Sequence, residues 1–449
     1  MASTRDGSTG EGPAVEGPRR GAAIGDVRMR GFAARADVEE VERFLAERTA
    51  PLPAEEVPLA ACAGRVLAAE VRAEVDVPPF ARSAMDGYAV RGEDTFGASD
   101  YDPVALELVG ESMPGRPFPG HVGPGQAVRI MTGAPLPEGA DAVAPAEIAQ
   151  EAGGRVEVQA AGGRAEVREA VAPRRHVGAV GEDIARGTPV LRAGRRLRPQ
   201  DVGVLASIGA GRVRCVARPR VRLVVTGDEL LPPGSRPEGA RIVDSNSPML
   251  AALVERDGGV LLPHEILPDR ADRVRTELAR EDADVVLVSG GSSVGREDHA
   301  PRLVAELGSL DFHGVAMRPS SPAGVGRLPR PGGERWVFLL PGNPVSCLCA
   351  YEFFAGPTLR ALGGRPRAWP HRRVRRLLAR KIASAVGRTD YVRVSLEKGR
   401  VVPISTSGAS ILSSTVRADG VVVVPREREG MPEGAEVEVL LYDDAEPGP

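Results

Sequence analysis

The chain has 449 residues, enough for about three domains. Its hydrophobic (42%) and charged (27%) shares exclude a wholly disordered protein. A formal net charge of −3 excludes a protein built mainly to coat nucleic acid. No apolar run approaches the ~18 residues needed to span a bilayer. The N-terminus has no apolar core of signal-peptide type, so the expectation is a soluble, cytoplasmic protein with no membrane partner.

Gly (54) and Pro (40) together form about a fifth of the chain, which predicts many turns and short elements. The 4 cysteines are too few for a disulfide scaffold. Cys347 and Cys349, two apart in an apolar helical stretch, read as buried small hydrophobes. The 6 histidines are scattered without zinc-ligand spacing. Lysine occurs only at Lys381 and Lys398, so arginine supplies nearly all positive charge.

Residues 1–35 carry few large apolar groups and are expected to be a disordered tail. Asp37 is placed to cap a helix with Glu39 and Glu40 in its first turn and Val38, Val41, Phe44 and Leu45 on its buried stripe. Between about 66 and 177, short strand-like runs such as Ala127–Met131 alternate with Pro-Gly turns. A helix is predicted over 199–208, ended by Gly209 and Gly211, then a strand Val213–Val216. From 218 to 364, strand runs Val221–Val225, Val260–Leu262, Val285–Val288 and Trp336–Leu340 alternate with helical stretches near 248–256, 270–280, 298–307 and 345–362. That alternation predicts βαβ units and a parallel sheet. Short β runs return after Gly364, at Tyr391–Leu396, Val421–Val424 and Val437–Leu441, and predict a small barrel or sandwich.

Three loops of the α/β stretch fall at strand C-terminal ends, where open parallel sheets form their ligand crevice. They are Thr226-Gly227-Asp228-Glu229, Ser289-Gly290-Gly291-Ser292-Ser293-Val294-Gly295 and Pro341-Gly342-Asn343-Pro344. Glycine lets the backbone approach a ligand closely, and amides at a following helix start attract anions. Asp228, Glu229, Asp269 and Asp298 stand beside these loops and suit a hard cation such as Mg²⁺ bridging protein and phosphate. Asp269 and Asp298 are equally well placed to cap the helices that begin beside them.

The run Pro79-Phe80-Ala81-Arg82-Ser83-Ala84-Met85-Asp86-Gly87-Tyr88-Ala89 closely resembles the signature of molybdopterin molybdenumtransferases, the MoeA family related to the C-terminal part of gephyrin. The stretches Arg129 to Pro135, Gly139 to Val143, Gly181-Glu182-Asp183-Ile184, Thr226 to Leu230, the Gly290 loop and Leu340 to Ser346 resemble the same family, in family order. The resemblance runs from about residue 37 to 442.

It implies a multidomain α/β plus β fold: a linker module (36–65 and 178–217), a β-rich module (66–177), an α/β molybdopterin-binding domain with a parallel sheet (218–364) and a C-terminal β-barrel (365–449). It further implies a homodimer with the active cleft between subunits, and other molybdenum-cofactor biosynthesis proteins as partners. The implied reaction inserts molybdate into adenylylated molybdopterin (molybdopterin-AMP), releasing AMP and molybdenum cofactor, with Mg²⁺. Carried over by position, Asp86, Thr132, Asp183 and Asp298 are the implied catalytic residues. Thr226, Gly227, Glu229, Ser289, Gly290, Gly291, Pro341, Gly342, Asn343, Arg318 and Arg393 are implied to bind the substrate. Glu229, Asp269 and Asp298 are the implied metal set.

The basic half of the pattern departs from the family. Ser321 and Gly314 stand at lysine positions, and Gly178, Ala179 and Val180 replace basic residues before Gly181. Arg318 and Arg327 occupy other lysine positions and are expected to carry the oxyanion charge. Ala409 falls at a family serine, with Ser410 one residue beyond. Three readings therefore stand at this point: a working insertase with an arginine-adapted anion site, a divergent paralogue that binds the pterin nucleotide without efficient insertion, and a non-enzymatic dimeric scaffold.

Overall fold

The computed structural model describes residues 35–151, 163–291, 298–405 and 408–443. The expected tail, up to its last residue, and Ser292 to Gly295 of the glycine loop lie outside the described residues. The chain divides into two compact units, Leu52–Ala217 and Met1–Pro51 with Arg218–Pro449.

Helix α1 (Val38–Arg48) buries Val38, Val41 and Leu45, as its spacing predicts. Asp37 holds the N-cap position but makes no capping hydrogen bond; its carboxylate pairs with Arg426 instead. Phe44 is half-buried and packs edge-on to Phe312 at 5.1 Å and Trp336 at 6.1 Å. These contacts group α1 with residues 218–449, whereas the sequence reading assigned it to a linker module with 178–217.

The unit 52–217 is built on a six-stranded sheet in the order Ala142–Pro145, Gly87–Val90, Gln126–Ile130, Val104–Ser112, Gly163–Val167, Ala149–Glu151. Tyr88, Val90, Leu106, Leu108 and Val167 form its core. A second core gathers Val57, Cys62, Leu67, Leu205, Val213 and Cys215 around the helix Pro199–Ser207.

The second unit carries a seven-stranded sheet: β1 (Arg220–Thr226), β2 (Val260–Leu261), β3 (Ile266–Leu267), β4 (Val285–Ser289), β5 (Ser309–His313), β6 (Gly324–Arg330) and β7 (Gly333–Leu340). The order is β2-β1-β4-β7-β6-β5, with β3 also on β1. Strands β1, β2, β3, β4 and β7 pair in parallel, whereas β6 and β5 add antiparallel at one edge. The sheet is therefore mixed where the sequence predicted a parallel one. The missed strands are short and polar-flecked, and β6 holds Gly324, Gly326 and Pro329, residues that weaken strand signals. All five residues of β4 are buried, and each such Val or Leu side chain contributes about 1.5–3 kcal/mol.

Helices α2 (Asn246–Arg256), α3 (Ala271–Ala279) and α4 (Ala300–Leu307) connect these strands. The helix expected over 345–362 forms as α5 (Pro344–Ala350) and α6 (Gly356–Leu362), joined by a π-helical turn at Tyr351–Ala355. Cys347 and Cys349 are fully buried, and burial pushes the Cys347 thiol up to about 12.

A further sheet runs Met317–Arg318, Thr389–Glu397, Gly420–Val424, Glu436–Leu441, Arg372–Leu377, with Arg400–Ser405 also on Thr389–Glu397. Its first strand comes from within the α/β stretch: Met317 and Arg318 pair in parallel with Thr389 and Asp390. Among the described residues, no helix is long and apolar enough to cross a membrane.

Candidate functional site

The three loops at the ends of β1, β4 and β7 border one cavity of about 720 Å³. Thr226, Gly227, Glu229, Ser289, Gly290, Gly291, Gly342 and Asn343 all line it, together with Asp269 and Asp298. Gly290 is required by space. At Gly290 φ is +90°, and an added Cβ would lie 2.4 Å from the Thr226 carbonyl oxygen. Gly342 is not so confined: an added Cβ would meet only the Gly290 Cα, at 3.8 Å, an ordinary contact.

Glu229, Asp269 and Asp298 share the cavity wall, but no three His, Cys, Asp or Glu side chains among the described residues gather as a closed metal cluster. Asp269 does not cap α3. Its carboxylate accepts from the Asp228 amide at 3.3 Å while the Asp228 carboxylate accepts from the Asp269 amide at 3.3 Å. The pair ties the β1 loop to the chain entering α3.

Residues Asp244, Asn246 and Ser247 escaped the sequence reading, although Asp-Ser-Asn-Ser before an apolar run is a helix-start signal. Asp244 accepts from the amides of Asn246 (2.9 Å) and Ser247 (3.1 Å) at the start of α2, and Asp244 and Asn246 both line the cavity.

A second cavity of about 300 Å³ lies on the other side of Asn343, which lines both. Its wall includes Arg318, Ser321, Pro341, Arg393, Gly408 and Ala409. The cross-sheet pairing explains why Arg318 and Arg393 meet: Arg318 pairs with Asp390, on the strand that carries Arg393. Arg393 is 2% exposed, and burial lowers its pKa from the ordinary arginine value; a guanidinium still remains protonated. The Ser321 hydroxyl is buried with no hydrogen-bond partner. Ser410 lines the larger cavity and Ala409 the smaller.

Arg327, expected to share the oxyanion charge, is committed elsewhere. It makes a two-pronged pair with Asp311 at 2.9 Å and donates a single bond to Glu334 at 2.7 Å, with its guanidinium 5.7 Å from the Phe44 ring centre. Its hydrogen bond to Asp311 raises its pKa above the ordinary value. Arg327→Ala should therefore lower stability by about 1 kcal/mol in a denaturant melt. Gly314 also lies outside the small cavity, at φ +92°, a conformation that strains any side chain placed there.

Asp86, Thr132 and Asp183 belong to the unit 52–217. Asp86 and Thr132 come together: the Asp86 carboxylate accepts from the Thr132 amide at 2.7 Å and from its hydroxyl at 2.8 Å. These bonds, the amide first, hold the Asp86 pKa below the usual carboxylate value. Any resulting stabilisation is present above that usual value and is lost as pH falls through the lower folded one. Thr132→Val removes the hydroxyl donor, so the Asp86 titration followed by NMR should move to higher pH. Asp183 is exposed, and its amide donates to the Val77 carbonyl at 3.0 Å. Its neighbour Glu182 instead pairs with Arg82 at 2.7 Å.

A glycine-lined cavity thus lies at the parallel strand ends of an α/β sheet, beside a small cavity whose wall carries two arginines. Residues 36–209 match the MoeA N-terminal region (domain I and II), residues 222–361 a "probable molybdopterin binding domain", and residues 375–442 the MoeA C-terminal region (domain IV). The chain belongs to the MoeA family. It is 34% identical over 417 residues to molybdopterin molybdenumtransferase 2 of Mycobacterium tuberculosis, covering 90% of this chain and 98% of that protein. It is 31% identical over 412 residues to molybdopterin molybdenumtransferase of Haemophilus influenzae, covering 89% and 97%. A crystal structure of a molybdopterin biosynthesis MoeA protein from Pyrococcus horikoshii superposes with a TM-score of 0.75 at 32% identity, over 92% of this chain and 100% of that one.

Proposed function

We infer that this chain is a molybdopterin molybdenumtransferase of molybdenum cofactor biosynthesis: it inserts molybdate into adenylylated molybdopterin and releases AMP and molybdenum cofactor. The observation that carries the reading is the pair of adjoining cavities that share Asn343. The larger one, with Gly290 and Gly342 on its wall, suits the pterin nucleotide, because bare backbone amides can approach phosphate oxygens. The smaller one suits a tetrahedral oxyanion. Arg318 and Arg393 would donate charge-assisted hydrogen bonds, and the unpartnered Ser321 hydroxyl would add a neutral one. Asn343 would then stand between the bond to be broken and the incoming oxyanion. Asp86, Thr132 and Asp183 are proposed as the catalytic contribution of the unit 52–217.

Mg²⁺ fits the larger cavity without a closed cage. This ion commonly uses one or two carboxylates and completes its shell with water and substrate phosphates. Glu229, Asp269 and Asp298 would hold it, and its charge would offset that of the phosphates. Asp269→Asn and Asp298→Asn should each raise the Mg²⁺ concentration needed for half-maximal turnover, with stability changed by about 1 kcal/mol or less.

The C-terminal sheet is read as a small barrel because a bridge between Leu378 and Val401 links its outer strands. A homodimer and a cytoplasmic location are carried as part of the same reading; light scattering of the purified chain tests the first.

Expression in a strain lacking the insertase should restore molybdoenzyme activity, and the purified chain should release AMP from adenylylated molybdopterin only when molybdate is supplied. Failure of both overturns the assignment. Tight nucleotide binding without molybdate-dependent AMP release would leave the divergent paralogue.

A further inference from the structure

Asn246 lies in the first turn of α2 and is 7% exposed. Its side-chain Nδ2 donates to Ser289 Oγ at 3.0 Å and to the Gly342 carbonyl oxygen at 2.8 Å. Those acceptors belong to different ligand loops, one at the end of β4 and the other just past β7. A single carboxamide thus sets the spacing between two loops whose sequences lie far apart. The carboxamide is itself held in place, because Asp244 accepts from the Asn246 and Ser247 amides and from the Ser247 hydroxyl.

A second observation separates this residue from an ordinary helix-start asparagine. Asn246 Oδ1 is buried and has no hydrogen-bond partner, and the Thr226 hydroxyl on the third loop is in the same condition. Native interiors satisfy nearly all such groups, and exceptions concentrate where a ligand, ion or water completes the set. Both residues line the larger cavity. The loop ends are therefore tied to one another on one side of the carboxamide and left incomplete on the other.

We propose that Asn246 is a positioning residue for the nucleotide: by bonding Ser289 and Gly342 together it fixes the separation of the Gly290 and Gly342 backbones that receive the phosphate groups. The inference rests on the reading of the larger cavity as the nucleotide site. It predicts that the carboxamide governs nucleotide affinity and leaves the oxyanion response alone, since none of its bonds reaches Arg318, Ser321 or Arg393.

The test uses the full chain with AMP as the binding probe and adenylylated molybdopterin as the substrate. Asn246→Leu keeps the branched shape at somewhat larger volume and removes both hydrogen bonds. Asn246→Asp keeps the shape but replaces the donor by a carboxylate, so its effect on AMP affinity also contains charge repulsion and is read against Ser289→Ala, which adds no charge. Each should raise the Kd for AMP and the KM for adenylylated molybdopterin by at least about tenfold, equivalent to about 1.4 kcal/mol. The molybdate concentration for half-maximal rate should stay within about twofold, well under 1 kcal/mol. Ser289→Ala removes one of the two ties and should give a smaller rise of the same kind. A purely structural asparagine would lower the melting temperature while the Kd measured on folded protein stayed constant, and that result overturns the proposal. If Asn246→Leu does not fold, Ser289→Ala decides by the same criterion, since it removes one tie without adding a charge. Wild-type protein that binds neither AMP nor the adenylylated pterin overturns the cavity reading and the proposal together. Wild-type binding that none of the three substitutions weakens overturns the proposal alone.

Discussion

Arg318→Ala should raise the molybdate concentration needed for half-maximal insertion by at least about tenfold, with the KM for adenylylated molybdopterin little changed. Two cationic donors line the small cavity, and a hydrogen bond to a charged group is worth about 1.5–3 kcal/mol. Losing either one therefore predicts a shift of one to two orders of magnitude. Arg318 is the cleaner site because it is only half-buried on a two-residue strand. Arg393 is fully buried, so Arg393→Met, which preserves most of the packing, is the matching variant. Both variants are read by steady-state insertion against molybdate, with circular dichroism confirming folding. Ser321→Lys should help by no more than a few-fold, because the cavity already holds two guanidinium groups within about 300 Å³. Insertion indifferent to both arginine substitutions would place the oxyanion elsewhere.

The second large effect concerns Gly290. Gly290→Val should abolish measurable AMP binding and insertion, and should destabilise the chain by several kcal/mol. Two costs combine: a positive φ that β-branched residues avoid, about 1–3 kcal/mol, and overpacking of about the same size. The added Cβ would meet the Thr226 carbonyl oxygen at 2.4 Å, and a strand-end backbone atom cannot swing aside. Gly342→Ala is the contrast, since its Cβ meets only the Gly290 Cα at 3.8 Å. That variant should fold with near-native stability and lose nucleotide affinity only as far as the methyl group crowds the ligand. Thermal melts and calorimetric AMP titration of the two variants separate the effects. Gly290→Val with native affinity would remove the glycine loops from the site.

Much of this site was legible before any coordinates. Valine and leucine runs ending in Thr226-Gly227, Ser289-Gly290 and Pro341-Gly342 predicted strands whose C-terminal ends share one edge, and these loops do line one cavity. That inference works because strand periodicity, glycine conformation and parallel-sheet topology are encoded within a few residues of one another. The Asp86 and Thr132 motifs likewise led to two residues that hydrogen-bond, although 46 positions separate them.

Other features depended on contacts that no local pattern records. Arg318 and Arg327 read alike as arginines at lysine positions. Only the strand register sends Arg318 to the sheet of Arg393 and locks Arg327 between Asp311 and Glu334. The same holds for Ala409 and Ser410, adjacent in sequence and on the walls of different cavities. Asn246 was invisible because its two partners come from strands that meet α2 only after the sheet has assembled. The sequence by itself determined the parallel strands that end in the three glycine turns, and the family, but not the antiparallel edge strands. The tertiary structure alone decided which charged and polar side chains face the ligand, because a shift of one residue in register carries a side chain from one face of a strand to the other.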